Sequence, residues 1–397
     1  RGTVSPPLGL AAHSSPEDIS GQKMKTGEAM EPTNEAELAE AIRDAGGPLL
    51  VQGGGTRAVG RPGAGAVLSV AGISGIRLYE PGALTLVAAA GTPLAEVEGV
   101  LAEGGQRLPF EPMDHRALLG TEGVPTLGGM VAANASGPRR VQAGACRDSL
   151  IGVRFVDGAG AVIKNGGRVM KNVTGLDLVK LMAGSWGTLG VLSEVAFKLL
   201  PRPETEATLV FEGMEDVQAV AAMAAALGSP YEVTGAAHLP DGRTILRQEG
   251  FAASVAYRVG ALARHLAGFD TGARLDAAES AALWAGVRDV APFHGLEGDV
   301  WRLSVKPSDA PALVARSGGS ALYDWGGGLV WLLMPEGCDL RAVLGPVKGH
   351  ATLVRASTQT RARIAPFHPE AAPVAALAEG LRRRFDPRGI LNPGRME

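Results

Sequence analysis

The amino-acid sequence predicts an α+β fold built from a glycine-rich first domain and a second domain of ordinary composition. Of the 56 glycines in 397 residues, 30 lie between Gly46 and Gly190, and 46% of the chain is hydrophobic. No three-residue glycine period is present, which excludes a collagen-like chain. The glycines instead bound a series of short predicted strands. After Asp299 the predicted order strand–helix–strand–strand–helix–strand is that of a ferredoxin-like unit.

The remaining totals exclude several classes of protein. A net charge of −3, from 38 basic and 41 acidic residues, gives no sign of a nucleic-acid or anionic membrane partner. Cys146 and Cys338 are the only cysteines and form no CxxC, so this chain does not hold an iron–sulfur cluster or a zinc ribbon. We expect two buried free thiols, with one long-range disulfide left open. No apolar run reaches the roughly 18 residues of a transmembrane helix.

Composition also predicts the domain boundaries. Residues 1–29 are polar and rich in serine, glycine and proline, which predicts a disordered leader or an expression remnant. The first domain is expected over 30–203, with subdomains of about 30–105 and 106–203, and Pro201-Arg202-Pro203 is a plausible exit. We expect a cap domain over 204–366 and, over 367–397, a helix and tail that return to the first domain.

Capping residues, periodicity and breakers place the elements in order. Asn34 and Glu37 form a capping box that opens the first helix, and Thr92-Pro93 opens the second. Asp157-Gly158-Ala159-Gly160 closes a predicted hairpin. In the first domain and tail we predict helices over 36–45, 92–103, 176–183 and 370–385, and strands over 49–51, 66–70, 76–79, 84–90, 151–156, 161–164 and 191–200. In the cap we predict strands over 300–305, 321–325, 329–334 and 351–355, and helices over 308–316 and 340–344, with Trp301, Trp325 and Trp331 in the core.

The stretch Gly53 to Ala58 formally matches the dinucleotide fingerprint G-x-G-x-x-A after a strand. A Rossmann site needs a helix to begin at this point, and Gly60 and Pro62 forbid one. What the residues still allow is a nest of backbone N–H groups that holds a phosphate without a helix. An ordinary glycine-rich turn is the alternative.

Two further loops carry the same chemistry. Gly128-Gly129 lets the backbone approach a ligand closely, and the small residues after it suit a flat ring, although tight helix packing explains them as well. Gly184 to Gly190 holds three glycines directly before a strand. This loop is expected either to contact adenine and ribose or simply to need positive φ angles. Three such loops in one unit exceed what folding alone requires.

With these residues in view, the chain resembles the flavoproteins of the vanillyl-alcohol oxidase (PCMH-type) FAD-binding family, over about 35–203 and the tail. Within the family it most resembles the FAD-binding E-type subunits of bacterial glycolate oxidase, and that resemblance extends through nearly everything after Met30. The motifs that carry the family resemblance are Gly53-Gly54-Gly55-Thr56, Pro125 to Asn134, Arg147 to Gly152, Lys171 to Leu178, Gly184 to Val191 and Phe385 to Gly394, and those that carry the closer one include Gly137-Pro138-Arg139-Arg140, Asp324-Trp325-Gly326-Gly327 and Gly349-His350-Ala351-Thr352.

The resemblance implies FAD as the cofactor and assigns residues to it. The cofactor-binding residues it implies are Gly53, Gly54, Gly55, Thr56, Arg57, Pro112, Thr126, Gly128, Gly129, Asn134, Asp148, Gly184, Gly187, Thr188, Gly190, Val191 and Asn392. Arg395 is implied as the catalytic group that stabilises negative charge on a reduced flavin, against the alternative of a surface arginine. His350 is the best catalytic candidate to face the flavin, against the alternative of a structural histidine.

Two departures from the family pattern bear on the chemistry. Thr56-Arg57 stand where many members carry a histidine linked to FAD, so we expect FAD to be non-covalent. The cap histidines show no HxxH or HxH spacing, so no metal site is expected. Arg139, Arg140 and Arg147 are candidates to pair with an anionic substrate or with FAD phosphates, or to be ordinary solvent-facing arginines.

By resemblance, the function is that of the FAD-binding subunit in a 2-hydroxy-acid oxidoreductase of the glycolate oxidase type, which oxidises glycolate to glyoxylate. The resemblance implies two partners, a larger FAD-containing subunit and an iron–sulfur subunit, and a cytoplasmic location, with attachment to the inner membrane through partners left open. Two alternatives remain at this point. One is a non-catalytic FAD relay or structural subunit, and the other is a stand-alone sugar or lactone oxidase.

Overall fold

The first domain is organised around a five-stranded antiparallel sheet in the order β3-β4-β8-β6-β7, with β1-β2 as a parallel pair and β5-β9 as an antiparallel pair. The computed structural model describes residues 1–2, 29–167, 176–269 and 272–397. The strands are β1 Leu49–Gln52, β2 Ala66–Ser69, β3 Ile76–Glu80, β4 Thr85–Ala89, β5 Gln106–Arg107, β6 Leu150–Val156, β7 Val162–Gly166, β8 Val191–Lys198 and β9 Leu200–Pro201. The helices are α1 Glu35–Asp44, α2 Leu94–Glu103, α3 Arg116–Leu119, α4 Leu127–Ala132, α5 Arg140–Ala143, α6 Cys146–Ser149 and α7 Leu178–Met182.

Local sequence signals explain where these elements begin and which face they bury. Asn34 caps α1, since its Oδ1 accepts a hydrogen bond from the Glu37 amide at 3.0 Å. Leu38 and Ile42, one turn apart, are completely buried on the inner face of that helix. The predicted bounds of the described elements differ from the observed ones by at most two residues, as expected where the ends of elements fray.

The cap contains two ferredoxin-like units, whereas the sequence predicted one. Its first unit runs β10-α8-β11-β12-α9-β13 and the second runs β14-α11-β15-β16-α12-β17. The strands are β10 Thr205–Phe211, β11 Val233–His238, β12 Thr244–Gly250, β13 Ala273–Leu275, β14 Asp299–Val305, β15 Ser320–Asp324, β16 Leu329–Met334 and β17 Gly349–Arg355. The helices are α8 Asp216–Leu227, α9 Ala252–His265, α10 Ala277–Arg288, α11 Ala310–Ser317, α12 Leu340–Leu344 and α13 Thr358–Arg363.

One eight-stranded sheet joins the two units, in the order β13-β10-β12-β11-β15-β16-β14-β17. The units meet edge to edge, where His238 on β11 pairs with Tyr323 on β15. Trp301 and Trp331 are buried as predicted, whereas Trp325 is only half-buried. No strand of the first unit was predicted, because β10, β11 and β12 are buried at nearly every residue and so lack the alternation that marks a strand, while β13 is only three residues long.

The C-terminal residues return to the first domain. After the helix α14, Ala372–Phe385, the Leu49 amide donates to the Ile390 carbonyl at 2.7 Å and the Asn392 amide donates to the Leu49 carbonyl at 2.9 Å. The tail therefore extends the pair β1-β2 by one bridge, between Leu49 and Leu391. This contact brings Arg395 beside the loop that follows β1.

The two cysteines are both free, but only Cys146 is buried, since Cys338 is half-buried. The expectation of two buried thiols is therefore wrong for Cys338. No helix within the described ranges is long and apolar enough to cross a membrane. The predicted leader and the motif from Lys171 to Gly175 fall largely outside the described residues.

A buried network of ion pairs fastens the first domain to the cap. Arg247 of β12 pairs with Glu111 at 2.9 Å, and Glu249 of the same strand pairs with Arg139 at 2.8 Å and with Arg107 at 2.6 Å. The side chains of Arg247 and Glu249 are 1% and 2% exposed. Each guanidinium therefore has a carboxylate, as a buried charge requires. Arg139, which the sequence offered as a candidate to pair with an anionic substrate or with FAD phosphates, pairs with Glu249 in this network instead.

Candidate functional site

Three glycine-rich loops and the C-terminal tail meet around a cleft of about 330 Å³. The first loop follows β1, the second leads into α4 and the third precedes β8. The residues of the predicted cofactor set that line the cleft are Gly53, Gly54, Gly55, Thr56, Arg57, Thr126, Gly128, Gly129, Gly187, Gly190 and Val191. Arg395, predicted from the tail, also lines it. The three loops that the sequence singled out thus form one continuous wall.

Contact between the first two loops explains why glycine is needed there. A β-carbon on Gly54 would lie 1.7 Å from the Val124 carbonyl oxygen, and one on Gly53 would lie 2.2 Å from Thr126 Oγ1. At Gly55 the reason is φ of +71°, which disfavours other residues. The sequence analysis linked these glycines to a ligand. The structure adds that two of them first allow the loops to touch.

Asn392 holds two of these walls together. Its Oδ1 accepts from the Val51 amide at 2.8 Å, and its Nδ2 donates to the Trp186 carbonyl at 2.8 Å. It is 2% exposed and does not line the cleft. We therefore propose that Asn392, predicted as a cofactor ligand, positions β1 against the third loop.

The cleft carries only positive formal charge. Among the described residues that line it are four arginines, Arg57, Arg61, Arg361 and Arg395, and no carboxylate. The Nε atoms of Arg57, Arg361 and Arg395 are buried without a hydrogen-bond partner. Burial lowers the pKa of Arg57 to about 10, so its guanidinium stays charged at neutral pH. Buried, unpaired donors of this kind call for an anion.

Arg395, which belongs to the tail, contacts the first and the third loop. Its Nη2 donates to the Arg57 carbonyl at 3.1 Å, and its guanidinium carbon stands 5.8 Å from the centre of the Trp186 ring. Burial lowers its pKa. Arg395 is thus a half-buried arginine that lines the cleft, in contrast to the surface arginine that the sequence had left open.

The other predicted residues lie outside the cleft lining. Pro112 borders a second cavity, of about 500 Å³, beside the ion-pair network. Asn134 and Asp148 accept backbone hydrogen bonds, from Arg147 at 3.0 Å and Ala145 at 2.8 Å, and Thr188 Oγ1 donates to the Ser185 carbonyl at 2.7 Å. Gly184 takes a φ of +92°. Asn134, Asp148 and Thr188 thus hold the backbone of nearby loops, and the cofactor-binding role of these five residues stays a prediction.

His350 is exposed on β17 and does not line the cleft. Partial desolvation and the nearby positive charge of Arg302 lower its pKa. The other cap histidines have protein partners, such as Thr244 Oγ1 at 2.9 Å for His238 and the Asp289 carbonyl at 2.7 Å for His294. The described residues contain no group of three or more His, Cys, Asp or Glu able to hold a metal ion.

Sequence reasoning missed three residues at the site. Trp186 packs against Phe367 with ring centres 5.5 Å apart, and both Trp186 and Arg361 line the cleft. His115 is buried nearby, and burial together with the charge of Arg57 lowers its pKa to about 3, so it is neutral. A bulky aromatic inside a glycine loop was the available signal for Trp186. Arg361, on α13 of the cap, follows no motif.

Comparisons with known proteins identify the fold and the cofactor. The sequence model of an FAD binding domain matches residues 29–166. A solved structure, alkyldihydroxyacetonephosphate synthase, superposes with a TM-score of 0.66 over 91% of this chain and 76% of that chain, at 16% identity, which shows a common fold. The fold and the site thus define an FAD-dependent oxidoreductase of the PCMH type, and FAD is its cofactor.

The particular family follows from the full-length match. The chain is 38% identical over 352 residues to glycolate oxidase subunit GlcE of Escherichia coli, covering 88% of this chain and 92% of that protein, and it belongs to the GlcE family. Shorter matches include glycolate oxidase subunit GlcD of Bacillus subtilis, 42% identical over 22% of this chain and 18% of that protein. D-lactate dehydrogenase of Archaeoglobus fulgidus is 30% identical over 47% of this chain and 42% of that protein.

Proposed function

We propose that this chain binds FAD non-covalently in the cleft and serves a glycolate oxidase-type complex, in which glycolate is oxidised to glyoxylate. The observation that carries the proposal is a cleft of three glycine-rich loops with four arginines and no carboxylate among its described lining residues. The two phosphate groups of FAD carry the negative charge that balances the positive charge of these arginines. Membership in the GlcE family supports the choice of substrate class.

The residues around the cleft have distinct tasks in this proposal. Arg57 and Arg395 bind the diphosphate or the flavin through their free Nε donors. Trp186, whose carbonyl accepts a hydrogen bond from Asn392, supplies an aromatic wall of the cleft. When bound, the flavin supplies the acceptor for the hydride of the substrate α-carbon.

The electrons then need a route out of this chain. With only Cys146 and Cys338 and no CxxC, the chain holds no iron–sulfur cluster of its own. We therefore propose transfer to a partner iron–sulfur subunit, beside a larger FAD-containing subunit of the GlcD kind. The partial match to a GlcD protein and the full-length match to a GlcE protein support such an assembly.

Flavin binding tests the first part of the proposal. Quenching of flavin fluorescence on titration with the protein gives the dissociation constant of FAD. We expect Arg57→Met to weaken FAD binding by about tenfold or more, because a charge-assisted hydrogen bond is lost. Arg77→Met, on the exposed face of β3, is the matched control and should bind like the wild type. Acid precipitation should release the yellow flavin, and retention in the pellet would contradict non-covalent binding.

A second candidate function is an FAD relay whose partner oxidises the substrate. The specific observation in its favour is that the described cleft lining holds no His, Asp, Glu, Lys, Tyr or Cys to accept the hydroxyl proton. Anaerobic addition of glycolate separates the two candidates. Bleaching of the flavin band in the isolated chain supports oxidation here, and bleaching only with partners present supports the relay.

A further inference from the structure

A second group of arginines lies on one tryptophan at the junction of the two domains. The guanidinium carbon of Arg140, from α5 of the first domain, is 4.4 Å from the centre of the Trp325 ring. That of Arg302, from β14 of the cap, is 5.2 Å from the same centre. The Trp325 Nε1 donates to the Gly137 carbonyl at 3.1 Å, which fixes the ring against the first domain.

Neither guanidinium has an acidic or carbonyl partner within the described part of the chain. Arg302 also faces Trp331, at 6.0 Å, but an aromatic face offers only a weak cation–π attraction. Desolvation, and next to it the like charge of Arg140, lower the pKa of Arg302 to about 10. Adjacent Arg139, by contrast, makes two hydrogen bonds to Glu249, at 2.9 and 2.8 Å.

Asp324 precedes Trp325 in the chain, and it forms no ion pair with Arg140 or Arg302 among the described contacts. Its Oδ1 accepts from the Trp325 amide at 2.7 Å. Burial raises its pKa to about 7, in the presence of Glu111, Arg247 and Arg302. It is therefore only partly ionised at neutral pH, so its charge acts on Arg302 without fully neutralising it.

Charges from the arginine pair and from the cleft reach the same buried residue, His115. His115 is close enough to both Arg57, which lines the cleft, and Arg302 for each charge to lower its pKa. A stacked guanidinium keeps the N–H groups at its edge free to bind an anion in two places. The pair thus offers two sets of free donors, one from each domain.

We propose that Arg140 and Arg302 together bind the carboxylate of the substrate, with Trp325 as the platform that holds both guanidinium groups. Naming the anion as a small 2-hydroxy acid rests on the proposed function. The two arginines come from different domains, so a bound carboxylate also bridges them. These residues are binding residues of the substrate and have no part in FAD binding.

Calorimetric titration of the FAD-loaded chain with oxalate, a small carboxylate that cannot lose a hydride, tests the assignment. We expect Arg302→Met and Arg140→Met each to weaken oxalate binding by about tenfold or more. The FAD dissociation constant should remain within about twofold. Arg302→Lys keeps the charge without the planar edge and should bind with intermediate affinity. Arg316→Met, exposed on α11, is the control and should equal the wild type.

Wild-type binding of oxalate by both variants, or no binding of oxalate by the wild type, overturns the assignment. Inorganic phosphate binding more tightly than oxalate would also overturn it, since the site would then favour phosphate. If Arg302→Met fails to fold, Arg140→Met and Arg302→Lys carry the test. Failure of the wild type to bind FAD is a separate result, and it refutes the proposed function itself.

Discussion

Arginines cluster at two places on the junction between the first domain and the cap, and their surroundings differ. In the ion-pair network, Arg107, Arg139 and Arg247 share Glu111 and Glu249 at 2.6 to 3.5 Å. In the arginine pair, Arg140 and Arg302 stack on Trp325 without a carboxylate partner among the described residues. Arg139 and Arg140 are neighbours in the sequence, yet each belongs to a different cluster.

The difference teaches that the number of buried charges does not decide their role. A buried charge that has an opposite charge within the chain contributes to the stability of the fold, because removing one partner leaves the other as an uncompensated buried charge. A charge left without a partner costs stability until an anion from outside arrives. The cleft and the arginine pair are both of the second kind.

Breaking the ion-pair network should have the largest effect. Glu249→Gln removes a carboxylate from two buried arginines, Arg139 and Arg247, and from the half-buried Arg107. We expect the free energy of unfolding to fall by about 3–5 kcal/mol. Arg302→Met removes a charge that has no partner, so the free energy of unfolding should change by less than about 1 kcal/mol or rise. Urea denaturation of the apo chain measures both, and equal losses in the two variants would refute the distinction.

Ionisation of Asp324, which precedes Trp325 in the chain, should lower the free energy of unfolding as pH rises. The pKa of Asp324 in the folded chain is raised to about 7, above the roughly 3.9 of an unfolded aspartate. The stabilising contribution of its proton is present below about pH 4 and is lost as pH rises through about 7. We expect Asp324→Asn to be more stable than the wild type by about 4 kcal/mol near pH 8 and similar near pH 4.

The same denaturation series checks the Asp324 prediction. Glu111, Arg247 and Arg302 also act on Asp324, so its pH dependence should shift in Glu111→Gln. A wild-type curve parallel to that of Asp324→Asn across this range would show that the carboxyl is not perturbed.

The ion-pair network should respond to pH with the opposite sign. Although burial opposes it, the charges of Arg247 and Arg139 hold the pKa of Glu111 at about 2, below the roughly 4.3 of an unfolded glutamate. The contribution is therefore present above about pH 4.3 and lost as pH falls toward 2. We expect about 2 kcal/mol of this stability to be lost between about pH 6 and pH 3. Glu111→Gln should lack this component of the acid limb, and an unchanged acid limb would contradict the assignment.

An exposed ion pair should have the smallest effect. Arg383 contacts Glu379 at 3.0 Å on α14, with the arginine side chain 76% exposed. Since water screens such a pair, Arg383→Ala should change the free energy of unfolding by less than about 0.5 kcal/mol. If Arg383→Ala lowered the free energy of unfolding as much as Glu249→Gln, burial would not determine how much an arginine ion pair contributes to stability.

Much of the fold was predictable because local signals and global packing agree. Asn34 caps α1 as its sequence indicates, and the order of elements after Asp299 was correct. The first cap unit was missed because β10, β11 and β12 are buried on both faces and show no alternation, and β13 is too short to give a signal. The glycine loops that form the cleft were recognised because close approach of backbone leaves a mark in composition.

The arrangement of charges could not be predicted from the sequence in the same way. Arg139 and Arg140 are equivalent to a sequence reader, and only the fold shows that one meets Glu249 while the other meets Trp325. Arg361 reaches the cleft from α13, about 300 residues away from the first loop along the chain. Pairings over such separations depend on how the domains dock, which no local pattern records.

The arginines that have no partner among the described residues are expected to bind an anion from outside the chain. Thermal unfolding with added ligand tests this expectation most directly. A ligand that binds only the folded chain raises the midpoint of unfolding. The account predicts that oxalate raises the midpoint of the FAD-loaded wild type, and that Arg302→Met loses this rise while keeping the rise produced by FAD. An oxalate-induced rise in Arg302→Met equal to that of the wild type would contradict the account.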